Sequence, residues 1–215
     1  MENTTKITAA CVIENGKVYV NSKLDFAAEG SATSLDFLKA AYTHYQLNYP
    51  KFYKMDSLCK LAMVASELLM RTNRINEKYA SEAIALIIAN GASSLEIDTE
   101  HQVSIADEGN FFPSPAVFVY TLPNILIGEI AIRNKIKGEN TFFIFDTFDE
   151  DFIHSYTDSL MNNDKAKCVI AGWVDFYEDK YRAFLYTVER TNEGEAHTTT
   201  NINKLIDNKL NFERN

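Results

Sequence analysis

Four kinds of side chain in this sequence could take part in chemistry: thiols, imidazoles, clustered carboxylates and clustered basic groups. The thiols are Cys11, Cys59 and Cys168, and each lies inside an apolar run. Their odd number and the lack of metal-type spacing argue against a disulfide framework and against a zinc site. We therefore expect buried free thiols in a reducing compartment, with a reactive thiol as the alternative.

The acids Asp146, Asp149, Glu150 and Asp151 lie close together at the start of a predicted helix. Carboxylate oxygens bind divalent cations, so a metal site is one interpretation. Acids at a helix start are also favoured by capping and by the helix dipole. This second interpretation requires no ligand, and we predict no metal site and no cofactor.

The densest basic stretch holds Arg133, Lys135 and Lys137. It could steer an acidic carrier protein by charge, but a solvated helix face is the favoured interpretation. The formal net charge of −9 argues against nucleic acid or an acidic membrane surface as the main partner. The sequence contains no apolar run as long as a membrane span, and its polar N-terminus is unlike a signal peptide. We expect a cytoplasmic protein.

The elements that must position these groups begin with a hairpin, because ITAACVI and VYV flank an Asn-Gly turn. A helix is predicted from about Leu35 to Leu47. Asp56 can cap the next helix, which runs to about Arg71 and is apolar on both faces, so it should be largely buried. AIALIIANG, ended by Gly91, is typical of a buried parallel strand.

The second half of the sequence continues the alternation of helices and strands. The patterns predict a polar helix over 97–107, a loop over 111–115, extended VFVYT, a helix from Pro123 to about Asn134, the strand TFFIF, a helix over 148–161, the strands KCVIAGWVDF and YRAFLYTVE, a loop over 193–203, and a short helix or disorder from Lys204. The 215 residues are 46% hydrophobic and can bury a sizeable core. This alternation indicates an α/β fold with a mixed, mostly parallel sheet and helices packed on it.

The segment from Pro115 to Asp175 resembles part of the β-ketoacyl synthases, which contains a proline-asparagine helix, a glycine turn, a strand, the catalytic cysteine, a helix and a strand ending in a glycine-rich turn. Upstream, YPKFYKMDSLCKLAMVASELL resembles the family's Met-Asp helix, and ALIIANGASSLE its following strand and loop. The resemblance covers the chain from about Tyr49 to Asp175. It implies a thiolase-like half fold, with residues 1–215 forming one N-terminal domain and the C-terminal half absent.

The resemblance also locates the nucleophile. Counting forward from Gly138, and back from the glycine turn at Gly172 and Trp173, leads to Thr147 where the family has its cysteine. A thiolate is the better nucleophile and acyl leaving group, and a threonine hydroxyl would require a positioned base. His154 is about two helical turns away, which is too far. His44, His101, His154 and His197 match none of the family's catalytic positions, so we expect a non-catalytic chain with Thr147 as a degenerate nucleophile position.

As a ketosynthase relative without the cysteine, this chain resembles the chain-length-factor subunits of type II polyketide systems. Its short length is similar to that of components of aryl polyene and flexirubin pathways. This implies a heterodimer with a full-length ketosynthase, which supplies the cysteine and histidines for fatty-acid-like or polyene chain elongation, and an indirect relationship with an acyl carrier protein. Residues implied to face the partner's acyl tunnel are Phe118, Tyr120, Leu122, Pro123, Asn124, Ile125 and Gly128. Residues of the implied dimer strand are Thr141, Phe142, Phe143, Ile144 and Phe145.

The same residues are also compatible with ordinary structural roles. The aromatic strand could be simple core, the residues at 118–125 could be ordinary packing at a helix start, and Gly128 could allow close helix packing. For the whole chain, the alternatives are a stand-alone acyl transferase or thioesterase that uses Thr147, and a module that docks an acyl carrier protein.

Overall fold

A computed structural model describes residues 4–28, 30–107, 109, 112–210 and 212. The strands are β1 Thr5–Glu14, β2 Lys17–Val20, β3 Lys23–Ala27, β4 Ile84–Asn90, β5 Asn140–Ile144, β6 Cys168–Tyr177, β7 Lys180–Arg190 and β8 Glu195–Ala196. The α-helices are α1 Ser34–His44, α2 Ser57–Thr72, α3 Ile75–Lys78, α4 Leu95–Ile105, α5 Pro115–Val119, α6 Ile125–Asn134, α7 Glu150–Asn162 and α8 Thr199–Ile206. Short 3₁₀ turns occupy Pro50–Lys54 and Ser81–Ala83.

The described strands form one mixed sheet in the order β3-β2-β1-β7-β6-β4-β5, and β8 pairs with β1. β4 is parallel to β5 and to β6. β7 is antiparallel to β6 and to β1, so β1, β4, β5 and β6 all run in the same direction. The predicted fold class, an α/β fold with helices packed on a mixed sheet whose strands mostly run in one direction, is confirmed.

Helices cover both faces of this sheet, and β4 shows why two cores form. Its residues are all buried, and their side chains alternate between the faces. Leu86 and Ile88 join a core with α1, α2 and α6, whereas Ala85 and Ile87 join a second core with α7 and α8. A strand covered on both faces is a nearly continuous apolar run, as the sequence of β4 predicted. The exception, Asn90 at its end, is hydrogen-bonded to the Ser93 backbone.

The predicted cap and burial of α2 are found in the structure. The Asp56 carboxylate accepts a hydrogen bond from the Cys59 backbone N–H at 3.0 Å, which satisfies one of the free donors at the helix start. Every residue from Leu58 to Met70 is buried. The Asn15-Gly16 hairpin between β1 and β2 is also present.

Three predictions of local structure are wrong. VFVYT is not extended, because Ser114 caps α5 and Pro115 occupies its first turn. α8 begins at Thr199 inside the predicted loop, since Thr198 caps it and Ile202 is buried beneath it.

The third concerns Gly172 and Trp173, which lie within the continuous strand β6 rather than in a turn. Gly172 has a φ of +145°, and a Cβ there would lie 2.0 Å from the Phe184 carbonyl oxygen. The glycine therefore permits close approach of β7 instead of ending a strand.

The boundaries of other elements shift by a few residues. α6 begins two residues after Pro123, which lies in the preceding turn. Phe111, in the predicted loop, and residues 213–215, in the predicted tail, lie outside the described residues. None of the described helices combines the length and apolar character needed to cross a membrane.

Candidate functional site

Thr147 lies in the bend between β5 and α7, at the edge of the sheet where the parallel strands β4 and β5 end. The Phe145 backbone N–H donates to the Asn90 carbonyl at 3.0 Å, so the end of β5 is joined to the end of β4. Asp146 and Thr147 are exposed beyond this bond. In doubly wound α/β sheets, ligands bind at such carboxyl ends.

Aromatic side chains on either side hold this bend in place. The Phe145 ring stacks on Phe143, with 5.7 Å between the ring centroids. The Phe148 ring packs edge-on against Phe184, with centroids 4.7 Å apart, and against Trp173 at 6.1 Å. Thr147 is thus presented to solvent by two anchored neighbours.

The described residues around Thr147 do not hydrogen-bond its hydroxyl group. His154 is engaged elsewhere, since its Nε2 lies 3.0 Å from the His197 carbonyl oxygen. A threonine without a hydrogen-bonded base is a poor nucleophile.

The three thiols are all inaccessible to solvent. Cys11, Cys59 and Cys168 are free and buried. Burial raises the pKa of all three thiols well above the ordinary value, so the reactive thiolate is disfavoured. The expectation of inert, buried cysteines agrees with this geometry.

The predicted dimer strand β5 lies at one end of the sheet, where only its β4 side is hydrogen-bonded within the described chain. Phe142 packs against the core on one face. On the other face the Phe143 ring contacts Phe152 and Tyr156 of α7, with centroids 4.8 and 5.4 Å away. Ile144 is 52% exposed. The faces of this strand therefore contribute to core packing, whereas pairing of its edge with another chain stays a prediction.

The predicted tunnel-facing residues do not share one environment. Phe118 and Leu122 are 60% and 56% exposed, and Asn124 is also exposed. Pro123, Ile125 and Gly128 are half-buried. Their orientation toward a partner stays a prediction.

Tyr120 differs from its neighbours because it is only 7% exposed. Its hydroxyl donates to Glu129 Oε1 at 3.2 Å, and Lys51 Nζ lies 2.6 Å from the same oxygen. Burial, together with the charge of Glu129, raises the Tyr120 pKa, and the hydrogen bond with Glu129 raises the pKa of Lys51. The sequence patterns did not predict this buried network, since its members come from three separate elements.

Gly128 has no packing role inside the described chain. A Cβ at this position would meet no atom within 4 Å. Glycine in a helix interior destabilises the helix by about 0.5–1 kcal/mol relative to alanine. The structure therefore gives no intramolecular reason for glycine here, and close packing of α6 within the chain does not require it.

The charged clusters singled out in the sequence are used locally. Asp149 caps α7 by accepting from the Phe152 backbone N–H at 2.8 Å, as capping predicted. Arg133 makes a two-pronged contact with Glu67, at 3.1 and 3.2 Å. Lys137 Nζ lies 3.6 Å from Glu82. Arg133 in particular is not a free cation for a carrier protein.

His154 and His197 meet at Asp158, a cluster that the sequence patterns did not predict. His197 Nδ1 lies 3.0 Å from Asp158 Oδ1, and His154 Nε2 lies 3.6 Å from Asp158 Oδ2. Burial lowers the pKa of His197. The four-residue spacing of His154 and Asp158 was visible in the sequence, but the third member lies on a distant segment.

The sequence itself matches no protein-family model and no curated protein. The structure is similar to several solved ones. One is described as the ishigamide ketosynthase/chain length factor, with a TM-score of 0.66 and 16% sequence identity over 90% of this chain and 64% of that chain. The chain has the fold of the ketosynthases and chain length factors. The resemblance inferred from the sequence is thereby confirmed at the level of fold.

Two further structures agree with this assignment. A type II polyketide synthase acyl-carrier protein in complex with its ketosynthase bound to the hexaketide gives a TM-score of 0.59, with 14% identity over 88% of this chain and 64% of that chain. The ketosynthase ApeO in complex with its chain length factor ApeC, from Xenorhabdus doucetiae, gives 0.57, with 13% identity over 96% of this chain and 92% of that chain. This chain thus spans less than two thirds of the length of the first two matched chains.

Proposed function

We propose that this chain is a non-catalytic, chain-length-factor-like subunit that pairs with an active ketosynthase during elongation of polyketide or fatty-acid-like chains. The observation that carries the proposal is the environment of Thr147. It lies at the end of β5 in a ketosynthase-type fold, exposed, and without a hydrogen-bonded base among the described residues. The chain's thiols are buried in the core formed with α1, α2 and α6. A chain with this fold and without an activated nucleophile is best explained as a subunit that assists a catalytic partner.

The open edge of β5 supports pairing with another chain. An edge strand presents unpaired backbone groups, and proteins usually protect such edges with charges or bulges. β5 carries no charged residue, and Ile144 is exposed at its end. A ketosynthase strand added beside β5 would cover this edge, and complexes between ketosynthases and chain length factors are known among the proteins of this fold.

Exposed apolar side chains near α5 support a second contact with the partner. Large apolar residues exposed to solvent concentrate in the segment from α4 to the start of α6, and contiguous patches of this kind mark interaction sites. They are Leu95, Val103, Phe112, Phe118, Val119 and Leu122. We assign Phe118 and Leu122 to the surface that shapes the acyl tunnel, and we retain Pro123, Asn124, Ile125 and Gly128 as its neighbours.

Tyr120 has a different role in this proposal from the one its position implied. Because its hydroxyl is held by buried Glu129, it supports the turn between α5 and α6 instead of contacting an acyl chain. In this arrangement the partner contributes the cysteine and histidines, and an acyl carrier protein delivers substrate to the partner.

Co-expression with a ketosynthase that has an intact cysteine tests the proposal. We expect a stable heterodimer in size-exclusion chromatography, and acylation of the partner's cysteine when an acyl-carrier thioester is added. Intact-mass spectrometry of this chain should show no added acyl group, and Thr147→Ala should leave turnover by the complex unchanged. A monodisperse monomer that fails to co-purify, or an acyl adduct lost in Thr147→Ala, would contradict the proposal.

A further inference from the structure

His154, Asp158 and His197 bring three metal-ligating side chains together on the side of the sheet covered by α7 and α8. One donor atom of each lies within 4.8 Å of the others. His154 and Asp158 are four residues apart on α7, so they lie on the same face of that helix. His197 comes from the connection between β8 and α8, 39 residues after Asp158.

The backbone around His197 fixes the position of its imidazole. β8 pairs with β1 through Ala196 and Lys6, and the His197 backbone N–H donates to the Thr5 carbonyl at 3.1 Å. The α8 cap, Thr198, follows directly. A ligand held by a strand pairing on one side and a helix cap on the other is preorganised, which favours metal binding.

The imidazole of His197 is also incompletely satisfied. Its side chain is 0% exposed, and its Nε2 has no hydrogen-bond partner among the residues that the structure describes. Nearly all buried polar atoms in proteins have partners, so an exception requires a cause. His197 therefore offers Nδ1, the nitrogen that faces Asp158, as its donor atom, while Nε2 can carry the ring proton.

We propose that His154, Asp158 and His197 bind a Zn²⁺ ion that joins α7 to the connection between β8 and α8. The donor set, two imidazoles and one carboxylate, is one that zinc uses. Tetrahedral Zn²⁺ with bonds of about 2.0–2.1 Å holds its ligand atoms roughly 3.3 Å apart. His197 Nδ1 lies 3.0 Å from Oδ1 of Asp158 and His154 Nε2 lies 3.6 Å from Oδ2, so each imidazole faces one carboxylate oxygen at a distance close to that value. Zinc binding would replace the contact of 3.0 Å between His154 Nε2 and the His197 carbonyl oxygen.

The exposure of the three residues indicates how the site is completed. His154 and Asp158 keep 25% and 31% of their side-chain surface exposed. A water molecule can therefore reach the fourth position from solvent, and the buried His197 closes the opposite side. A proton carried by a ligating nitrogen moves to the other ring nitrogen or is released when the metal binds.

Zinc titration of the untagged, metal-stripped full chain tests this site. Calorimetry should give one Zn²⁺ per chain, and Co²⁺ should produce the absorption bands of a nitrogen- and oxygen-liganded ion. Asp158→Asn and His154→Gln alter partly exposed positions that the fold tolerates, and each should weaken Zn²⁺ binding on the order of 100-fold. His44→Gln, an exposed histidine on α1, is the matched control and should bind as the unmodified chain does.

Thermal unfolding provides an independent readout, since a ligand bound only to the folded chain raises its melting temperature. Zn²⁺ should raise the melting temperature of the unmodified chain and of His44→Gln, but not of Asp158→Asn. The proposal is overturned if the unmodified chain binds no Zn²⁺, or if Asp158→Asn and His154→Gln bind it as tightly as the unmodified chain. Neither outcome bears on pairing with a ketosynthase.

Discussion

The two ends of the sheet, β3 and β5, expose their edges in different ways. β3 places Lys23 and Asp25 in the strand, and its pairing with β2 contains a register shift at Val18 and Tyr19. Charges and bulges of this kind prevent an edge from pairing with another chain. β5 has neither device, because NTFFI is uncharged and its pairing with β4 is regular.

These differences indicate which edge strand can remain without a partner strand in solution. Leu24 of β3 and Ile144 of β5 are exposed to a similar degree, 57% and 52%, so exposure of an apolar residue does not distinguish the edges. The two edges are distinguished by the charges and the irregular pairing beside Leu24. We infer that β3 ends the sheet in solution and that β5 continues it into a partner.

The largest effect is expected when a charge is placed on the β5 edge. Ile144→Lys should weaken pairing with the ketosynthase on the order of 100-fold, about 2.8 kcal/mol, because an unpaired ammonium group would be buried in the interface. Leu24→Lys is the matched control at the β3 edge and should pair normally. Equal affinities of the two variants, measured by surface plasmon resonance, would remove the distinction between the edges.

The second prediction concerns the faces of β5 in the isolated chain. Phe143→Ala should lower the free energy of unfolding by about 2–3 kcal/mol, somewhat less than for a fully buried phenylalanine, because its ring contacts Phe152 and Tyr156. Leu24→Ala should change it by less than about 0.5 kcal/mol. Urea denaturation measures both. A similar small loss in both variants would mean that β5 depends on its partner for packing as well as for pairing.

The third prediction uses Gly128 on α6, the helix that packs beside β5. Gly128→Ala should stabilise the isolated chain by about 0.5–1 kcal/mol, since alanine favours the helix and its Cβ meets no atom within 4 Å. Chemical denaturation of the isolated chain measures this gain. The same change should weaken pairing if a partner approaches α6 closely.

The matched glycine is Gly138, where a Cβ would lie 2.3 Å from the Ile84 carbonyl oxygen. Gly138→Ala should destabilise the chain whether or not a partner is present. If Gly128→Ala leaves pairing unchanged, the interface lies away from α6, on β5 alone. If it leaves stability unchanged, the expected gain in helix propensity is contradicted.

The smallest effect on pairing is expected at the exposed end of α5. Phe118→Ala and Leu122→Ala should shift the product toward longer chains by enlarging the tunnel, while the heterodimer still forms. Chromatography of the products of the reconstituted complex measures this shift. Tyr120→Phe should leave product length unchanged and reduce stability by about 1 kcal/mol, because it removes the hydrogen bond with Glu129. An unchanged product length in Phe118→Ala and Leu122→Ala would favour a docking role for this chain.

Local sequence patterns were sufficient for most of the elements. The cap at Asp56, the buried helix α2, the continuous apolar strand β4 and the aromatic strand β5 follow from periodicity and residue type, and the structure contains all four. These features depend on neighbours within a few residues, where propensity and patterning act. The order of elements then sufficed to predict the α/β class, whereas Thr147 was located through the resemblance to the β-ketoacyl synthases.

Features that depend on distant contacts could not be predicted in this way. Gly172 faces β7 within a strand instead of ending one, which depends on a distant contact. VFVYT is a different case, because its strand-like composition is outweighed by the local helix start at Ser114 and Pro115. Nothing local distinguishes buried Tyr120 from exposed Phe118 two residues earlier.

By itself, the sequence determined the succession of strands and helices, the threonine at the end of β5 and the apolar character of that strand. Packing between distant segments sets three further features. β5 forms an open edge of the described sheet, Glu129 holds the Tyr120 hydroxyl, and His197 meets His154 at Asp158. The two groups of features differ in the distance along the chain between the residues that interact. Propensity and capping act over one or two turns, whereas an edge, a buried polar pair or a ligand cluster arises when segments far apart in the chain pack together.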